Sequence, residues 1–247
     1  MPGGFPKTRP ELPEDLRRIY ASCYKQNRSG GTPASWLSNR AESWLHYRVA
    51  RDVLADRRYC TTLEIGAGNL NHLPWEPIVG PYDIVEPFTA LYEGSRHLGR
   101  VRTVYADIGD IPEALRYHRV ISIATFEHVC DLPDLVARVG VVLEPGGVLR
   151  VSIPSEGTWL WKVGWKLTTG LEFRIRYGLD YGLLMRHEHV NTAREVEEVL
   201  RYFFRDVRMS VCGPSRKLSI YQFFRCADPE EARCAVHRAP GTAHREP

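Results

Sequence analysis

The sequence has no Cys-x-x-Cys pair, no apolar run long enough to cross a bilayer and no block of like charge. Each absence removes a class of protein. The six cysteines, Cys23, Cys60, Cys130, Cys212, Cys226 and Cys234, are scattered. That excludes the paired spacing of a zinc ribbon or a redox motif and fits a reducing cytoplasm. No stretch approaches the roughly 18 apolar residues of a spanning helix. Pro2, Pro6, Pro10 and Pro13 among charged residues leave no apolar core for a signal peptide, so a soluble, cytoplasmic protein is expected. The 33 basic residues against 30 acidic ones give a net charge of +3. This balance is too mild and too dispersed for a dedicated nucleic-acid binder, and no nucleic-acid partner is expected. At 247 residues the chain can bury one full-sized core with an inserted cap.

What is present is organised around residues 61–69, where Leu63 and Ile65 fit a buried parallel strand that runs straight into Gly66-Ala67-Gly68-Asn69. Glycines at such a turn let a ligand approach the backbone. Glu64 is out of place in a strand covered on both faces, which calls for a basic neighbour or a cationic ligand at its tip. A second strand, Tyr82 to Glu86, ends in an acid 20 positions after Gly66, the offset at which a carboxylate can hold the two hydroxyls of a ribose. The ligand therefore reads as a nucleoside. The dinucleotide fingerprint is incomplete, because Asn71 stands at the third glycine position. Pro74, Pro77 and Pro81 exclude the usual following helix.

Along the chain, residues 1–13 are Pro-rich and read as disordered or loosely draped over the surface. Residues 14–58 have helical spacing, with Leu16, Tyr20 and Tyr24 in one stripe and Trp44, Leu45, Val49, Val53 and Leu54 in another. Tyr20, Tyr24, Trp36, Trp44 and Tyr47 suit either a core or a cover over substrate. After Glu86 come a short helix (88–94), a strand to Ala106, a strand at 119–124, a helix begun by Asp131 and a turn at Leu143-Glu144-Pro145-Gly146-Gly147. A fifth strand follows at 148–153. Thr192 and Glu195 form a capping box for the next helix. Strands at 207–212 and 218–224, joined by a connection too short for a crossover, close the sheet as an antiparallel hairpin. The expected fold is α/β and Rossmann-like: seven mostly parallel strands, helices on both faces and a cap insertion at 155–191, within one domain at 14–226. Residues 227–247 read as a disordered tail.

In this order and at these spacings, Thr61 to Phe224 resembles the class I S-adenosylmethionine-dependent methyltransferases, and within them the UbiE-like, type 11 group. Leu63-Glu64-Ile65-Gly66-Ala67-Gly68 is similar to the family's first motif. Glu86 is similar to its ribose-binding acid, Pro87 or Phe88 to the residue beside the adenine, and Asp107-Ile108 to the segment whose acid meets the adenine amine. The segment Ala124-Thr125-Phe126-Glu127-His128-Val129 resembles the one that follows the fourth strand. The resemblance implies S-adenosyl-L-methionine as cofactor, held by Glu64, Gly66, Ala67, Gly68, Asn69, Glu86, Pro87, Phe88, Asp107, Ile108 and Thr125. It also implies a small-molecule acceptor, with O-methylation of a sugar, glycan precursor or specialised metabolite expected. The alternatives are N- or C-methylation of a lipid, prenyl or other acceptor, a nicotinamide-dependent oxidoreductase, and a non-catalytic nucleoside-binding module.

The stretch 155–191 follows the fifth strand at the sheet's carboxyl edge, where open α/β folds bind ligands. It reads as a substrate cap. Trp159, Trp161 and Trp165, with Lys162 and Lys166, suit cap packing first and contact with lipid headgroups second. Tyr24, Trp165, Arg174, Arg186 and His187 are the candidate acceptor contacts, with Arg174, Arg176 and Arg186 able to clamp an anionic group. His128 and His189 are the candidate general bases. The pair His187-x-His189 has no further ligand spaced to complete a metal site, so no metal is expected.

Overall fold

The computed structural model describes residues 3–18, 43–51, 60–77, 79–159, 161, 163, 166 and 170–237. Seven strands form one sheet: β1 (Thr62–Ile65), β2 (Tyr82–Val85), β3 (Thr103–Tyr105), β4 (Tyr117–Ile123), β5 (Leu143–Pro154), β6 (Phe204–Cys212) and β7 (Tyr221–Pro229). Their order is β3-β2-β1-β4-β5-β7-β6. The first five are parallel, and β7 enters antiparallel between β5 and β6. Strand order reverses between β1 and β4, which makes the carboxyl ends of those two strands the crevice of the fold. Every residue of β1 and β2 is buried, as parallel strands covered on both faces require.

Alternate residues divide between two apolar layers. Leu63, Ile65, Val85 and Val120 pack with Val136 and Val139 of α1 (Leu132–Val142) and, across the same face, with Val196, Val199, Leu200 and Phe203 of a later helix, Ala193–Phe203. On the opposite face Ile84 and Ile121 meet Val49, from the helix at residues 43–51, together with Leu70 and Leu73. Both helix starts behave as their sequences predict. Asp131 accepts from the Asp134 amide, and Thr192 and Glu195 cap each other reciprocally. The prolines after β1 have the expected effect: residues 68–75 run as successive turns, with Leu70 at φ 63°. The cap contains α2 (Leu171–Tyr177) and α3 (Tyr181–Glu188); the helix Ala193–Phe203 is α4.

At the ends of the chain, the expected disordered tail is corrected over its described residues, and of the two courses open to the amino-terminal segment it takes the draped one. Strand β7 continues to Pro229, and α5 (Glu231–His237) returns along α1. The sulfur of Cys234 sits where a Cβ on Gly140 would lie, 2.4 Å away. A seven-residue helix that buries one cysteine carries no readable periodicity, which is why the tail looked irregular. Residues 3–13 are likewise laid along the domain as a strap. The Lys7 amide donates to the Cys130 carbonyl at 2.9 Å, and the Lys7 ammonium bonds the Val190 carbonyl and Glu195. Leu12 and Leu16 bury against Phe173 and Leu184 of the cap. An extended segment that satisfies its polar groups on a neighbour has no internal pattern to betray it.

Candidate functional site

The crevice is built first by backbone conformation. Gly66 (φ +71°) and Gly68 (φ +53°) occupy the left-handed region just after β1. A side chain at Gly66 is excluded twice over, since its Cβ would fall 2.3 to 2.9 Å from the Thr125 side chain. Thr125 follows β4 and donates to the carbonyls of Ile123 and, at 3.5 Å, Gly66. Ala124 beside it holds φ 50°, a strained backbone of the kind found at functional sites.

Glu86 stands at the end of β2, only 5% exposed. Its Oε2 accepts from the Gly68 amide at 2.7 Å and its Oε1 from the Phe88 amide at 3.0 Å. The carboxylate is thus fixed against the glycine turn, and each oxygen keeps further lone-pair capacity. Pro87 and Phe88 are exposed, Phe88 to 64%, an open aromatic face beside a fixed acid. Asn69 is half-buried and Ala67 buried in the same turn. Asp107 is exposed and caps a short 3₁₀ turn, accepting from Gly109 at 2.7 Å. The Ile108 side chain turns into the core, so any ligand contact at this position would fall to its backbone.

Glu64 is buried and accepts from the Tyr82 hydroxyl at 2.8 Å, and the basic neighbours expected near its tip are His72 and Arg119, whose charges favour its ionised form. Around it lies a buried polar cluster. Arg119 donates to Glu76 at 2.6 Å and to the Val49 carbonyl at 2.7 Å. His72 Nε2 lies 2.9 Å from Glu76, and His46 and His72 meet through their Nδ1 atoms at 3.1 Å. Burial raises Glu64 above the usual carboxylate range, partly offset by His72 and Tyr82. For Glu76 burial is overcome by the bonds from His72 and Arg119, and its pKa is lowered. Burial, reinforced by His72, drives His46 down to about 3, so the ring is neutral. This cluster stitches the helix at 43–51 to β1 and β4.

A second polar group assembles where the 124–129 turn meets the end of the cap. Asn191 fastens the two segments, donating to the Phe126 and Val129 carbonyls, while its amide donates to the Glu127 carbonyl. His128 Nδ1 lies 2.8 Å from the Glu188 carbonyl, and His189 Nδ1 lies 3.1 Å from Glu156 Oε2. The two imidazoles pack edge to face at 4.9 Å, and Trp161 stacks on His189 while donating its indole N–H to Glu156. Burial lowers His128, with Glu127 partly compensating. Burial also opposes charge on His189, but the Glu156 bond and the Glu127 charge outweigh it and its pKa rises. Glu127 is 2% exposed, and its Oε2 has no hydrogen-bond partner among the described residues.

His128 and His189, read from the sequence as alternative candidates for one general base, lie side by side. His187 separates from them and lies 2.7 Å from the Pro10 carbonyl in the strap. Arg174 and Arg186 are exposed on α2 and α3. Tyr24 and Trp165 lie outside the described residues, as do Tyr20, Trp36, Val53, Leu54 and Lys162. Sequence reasoning missed Glu156, Asn191 and Arg9. It quoted Glu127 only as part of a motif, although a carboxylate adjacent to a histidine at a strand end was a usable signal.

No protein-family model matches the chain, and no curated protein sequence matches it. Solved structures do. The chain is similar to the plantazolicin methyltransferase BpumL in complex with a monoazolic desmethylPZN analog and SAH, with a TM-score of 0.59, 13% identity, and 87% of this chain and 91% of that one covered. It is similar to the CurJ carbon methyltransferase, with a TM-score of 0.54, 17% identity, and 87% and 61% covered. It is also similar to the N-methyltransferase NodS from Bradyrhizobium japonicum WM9 in complex with S-adenosyl-L-homocysteine, with a TM-score of 0.54, 15% identity, and 86% and 99% covered. At these identities the likeness is one of fold: a Rossmann-like, mostly parallel seven-stranded sheet closed by antiparallel strands, shared with these methyltransferase structures.

Proposed function

We propose that the protein is an S-adenosylmethionine-dependent methyltransferase that methylates a hydroxyl of a small molecule: a sugar, glycan precursor or specialised metabolite. The observation that carries this reading is the fixed Glu86 carboxylate held against the Gly68 amide at the switch point, with the exposed Phe88 ring beside it. The residues fit the cofactor. Glu86 retains acceptor capacity for two ribose hydroxyls, Phe88 offers a flat face to an adenine, and Gly66 and Gly68 present bare backbone. When bound, the cofactor supplies a methyl group on a sulfonium. The chain's part is to align an acceptor oxygen with that methyl in a water-poor space.

His128 and His189 are the groups proposed to act on the acceptor's hydroxyl, reached through the turn that also carries Thr125. The folding of Trp161 onto His189 and Tyr221 supports the cap reading of 155–191. No helix among the described residues is long and apolar enough to cross a membrane. Cys130, Cys212, Cys226 and Cys234 are free thiols, which supports a reducing compartment. The incomplete glycine fingerprint and the antiparallel β7 weigh against a nicotinamide enzyme. The test is calorimetry of the full chain with S-adenosylhomocysteine, followed by an acceptor screen read by release of that product. Absence of saturable S-adenosylhomocysteine binding would overturn the proposal.

A further inference from the structure

Glu127, His128 and His189 each bring a ligand-type atom within 4.8 Å of the other two. Their environment prepares them for the same partner. His128 Nδ1 faces the Glu188 carbonyl and His189 Nδ1 faces the Glu156 carboxylate. Both partners are acceptors, so both Nδ1 atoms must carry the hydrogen, and the lone pair of each neutral ring is left on Nε2. An imidazole N–H held by a carboxylate or a backbone carbonyl is the outer-shell arrangement that orients metal-binding histidines. His128 Nε2 lies 3.8 Å from Glu127 Oε1. Glu127 is nearly wholly buried, and its other oxygen lacks a hydrogen-bond partner among the described residues. A buried carboxylate in that state is costly unless a cation completes it. Together Glu127, Glu156 and Glu188 surround the two rings with three carboxylates.

We propose that Glu127, His128 and His189 bind one divalent first-row cation, with zinc as the reference ion. Two imidazoles and one carboxylate are a donor set of catalytic metal sites, which keep an open position for water or substrate. Bonds of roughly 2.0 to 2.1 Å would draw the three atoms to about 3.3 Å apart. The site rests on the proposed function for its purpose and deepens it. It lies one turn from Thr125 and Gly66, so an acceptor hydroxyl in the open position would be polarised and would lose its proton to bulk water more readily. The two histidines then act through the cation instead of taking the proton themselves. Two of the ligands are adjacent and the third, His189, lies 61 positions after His128, which is why no metal motif is visible in the chain.

The experiment uses the full-length protein stripped with a chelator and freed of it. Zn2+ is titrated by calorimetry and Co2+ by visible absorption. Imidazole nitrogen resonances are followed by NMR in the wild type, so that the result stands even if a variant fails to fold. One equivalent should bind, with the resonances of two histidines shifting. His189→Asn and Glu127→Gln should weaken binding by at least about a hundredfold. Glu156→Gln, which alters the acceptor shared by His189 and the Trp161 indole and none of the three ligands, should weaken it by roughly ten- to a hundredfold. No saturable 1:1 binding, or unchanged affinity in His189→Asn, overturns the site. S-adenosylhomocysteine binding by the same stripped protein separates the two readings. If it binds and Zn2+ does not, the metal site falls and the methyltransferase reading stands. If Zn2+ binds and it does not, the methyltransferase reading falls and the site stands.

Discussion

Replacing Glu86 by glutamine keeps the shape of the side chain and changes only what its two terminal atoms can do. In the native protein both oxygens accept from backbone amides, Gly68 at 2.7 Å and Phe88 at 3.0 Å, and the group is buried. Whichever way the substituted side-chain amide is flipped, an NH2 faces a backbone N–H, so one charge-assisted bond is lost outright, about 1.5 to 3 kcal/mol. The ligand should feel a loss of the same size, because a ribose diol needs two acceptors and glutamine offers one. At 1.4 kcal/mol per tenfold, S-adenosylhomocysteine affinity should fall roughly ten- to a hundredfold. Calorimetry with that ligand gives the affinity, and urea denaturation gives the stability of the free protein. A folded Glu86→Gln variant with wild-type affinity would refute the ribose role, and the stability loss alone would then show that Glu86 only braces the glycine turn.

Gly66→Ala should cost about 1 to 2 kcal/mol for the left-handed backbone alone, plus the collision with Thr125. Adding Thr125→Ala should recover the collision but not the backbone share in urea melts, and full recovery would show that φ at Gly66 is not the constraint. Arg119→Met removes the cation from buried Glu76 and should destabilise by about 3 to 5 kcal/mol. The double variant with Glu76→Gln should be less destabilised than the single one, and equal values would mean the pair is not coupled. His46, with its folded pKa depressed to about 3, contributes stability that is fully present above the unfolded value near 6.5. That stability is lost at about 1.4 kcal/mol per pH unit as pH falls from there toward 3, because only the unfolded chain takes up the proton. Denaturation midpoints from pH 7 to 4.5 should fall less steeply in His46→Gln, and parallel curves would discount the buried histidine.

The sheet was legible because its signals are local. Short apolar stretches, a glycine turn, a capping box and prolines each speak for the few residues around them, and strand order follows from the connections. The antiparallel close was readable from the shortness of the 213–217 connection. Side-chain partners were not. Glu64 announced that it needed company, but Tyr82 on the neighbouring strand could not be distinguished in advance from a cation. His128 was chosen for its place after β4, whereas its carbonyl partner lies 60 residues on and the acid that orients His189 lies 33 residues back. The strap hid for the same reason, since its order comes from carbonyls elsewhere in the fold.

That strap changes how the protein must be handled. The Arg9 guanidinium grips three carbonyls at once, those of His128, His187 and Glu188, and so acts as a clasp between the turn after β4 and the end of the cap. Removing the residues through Arg9 takes that clasp away and should loosen the turn after β4 from the end of the cap, leaving a seam unfastened with the glycine crevice intact.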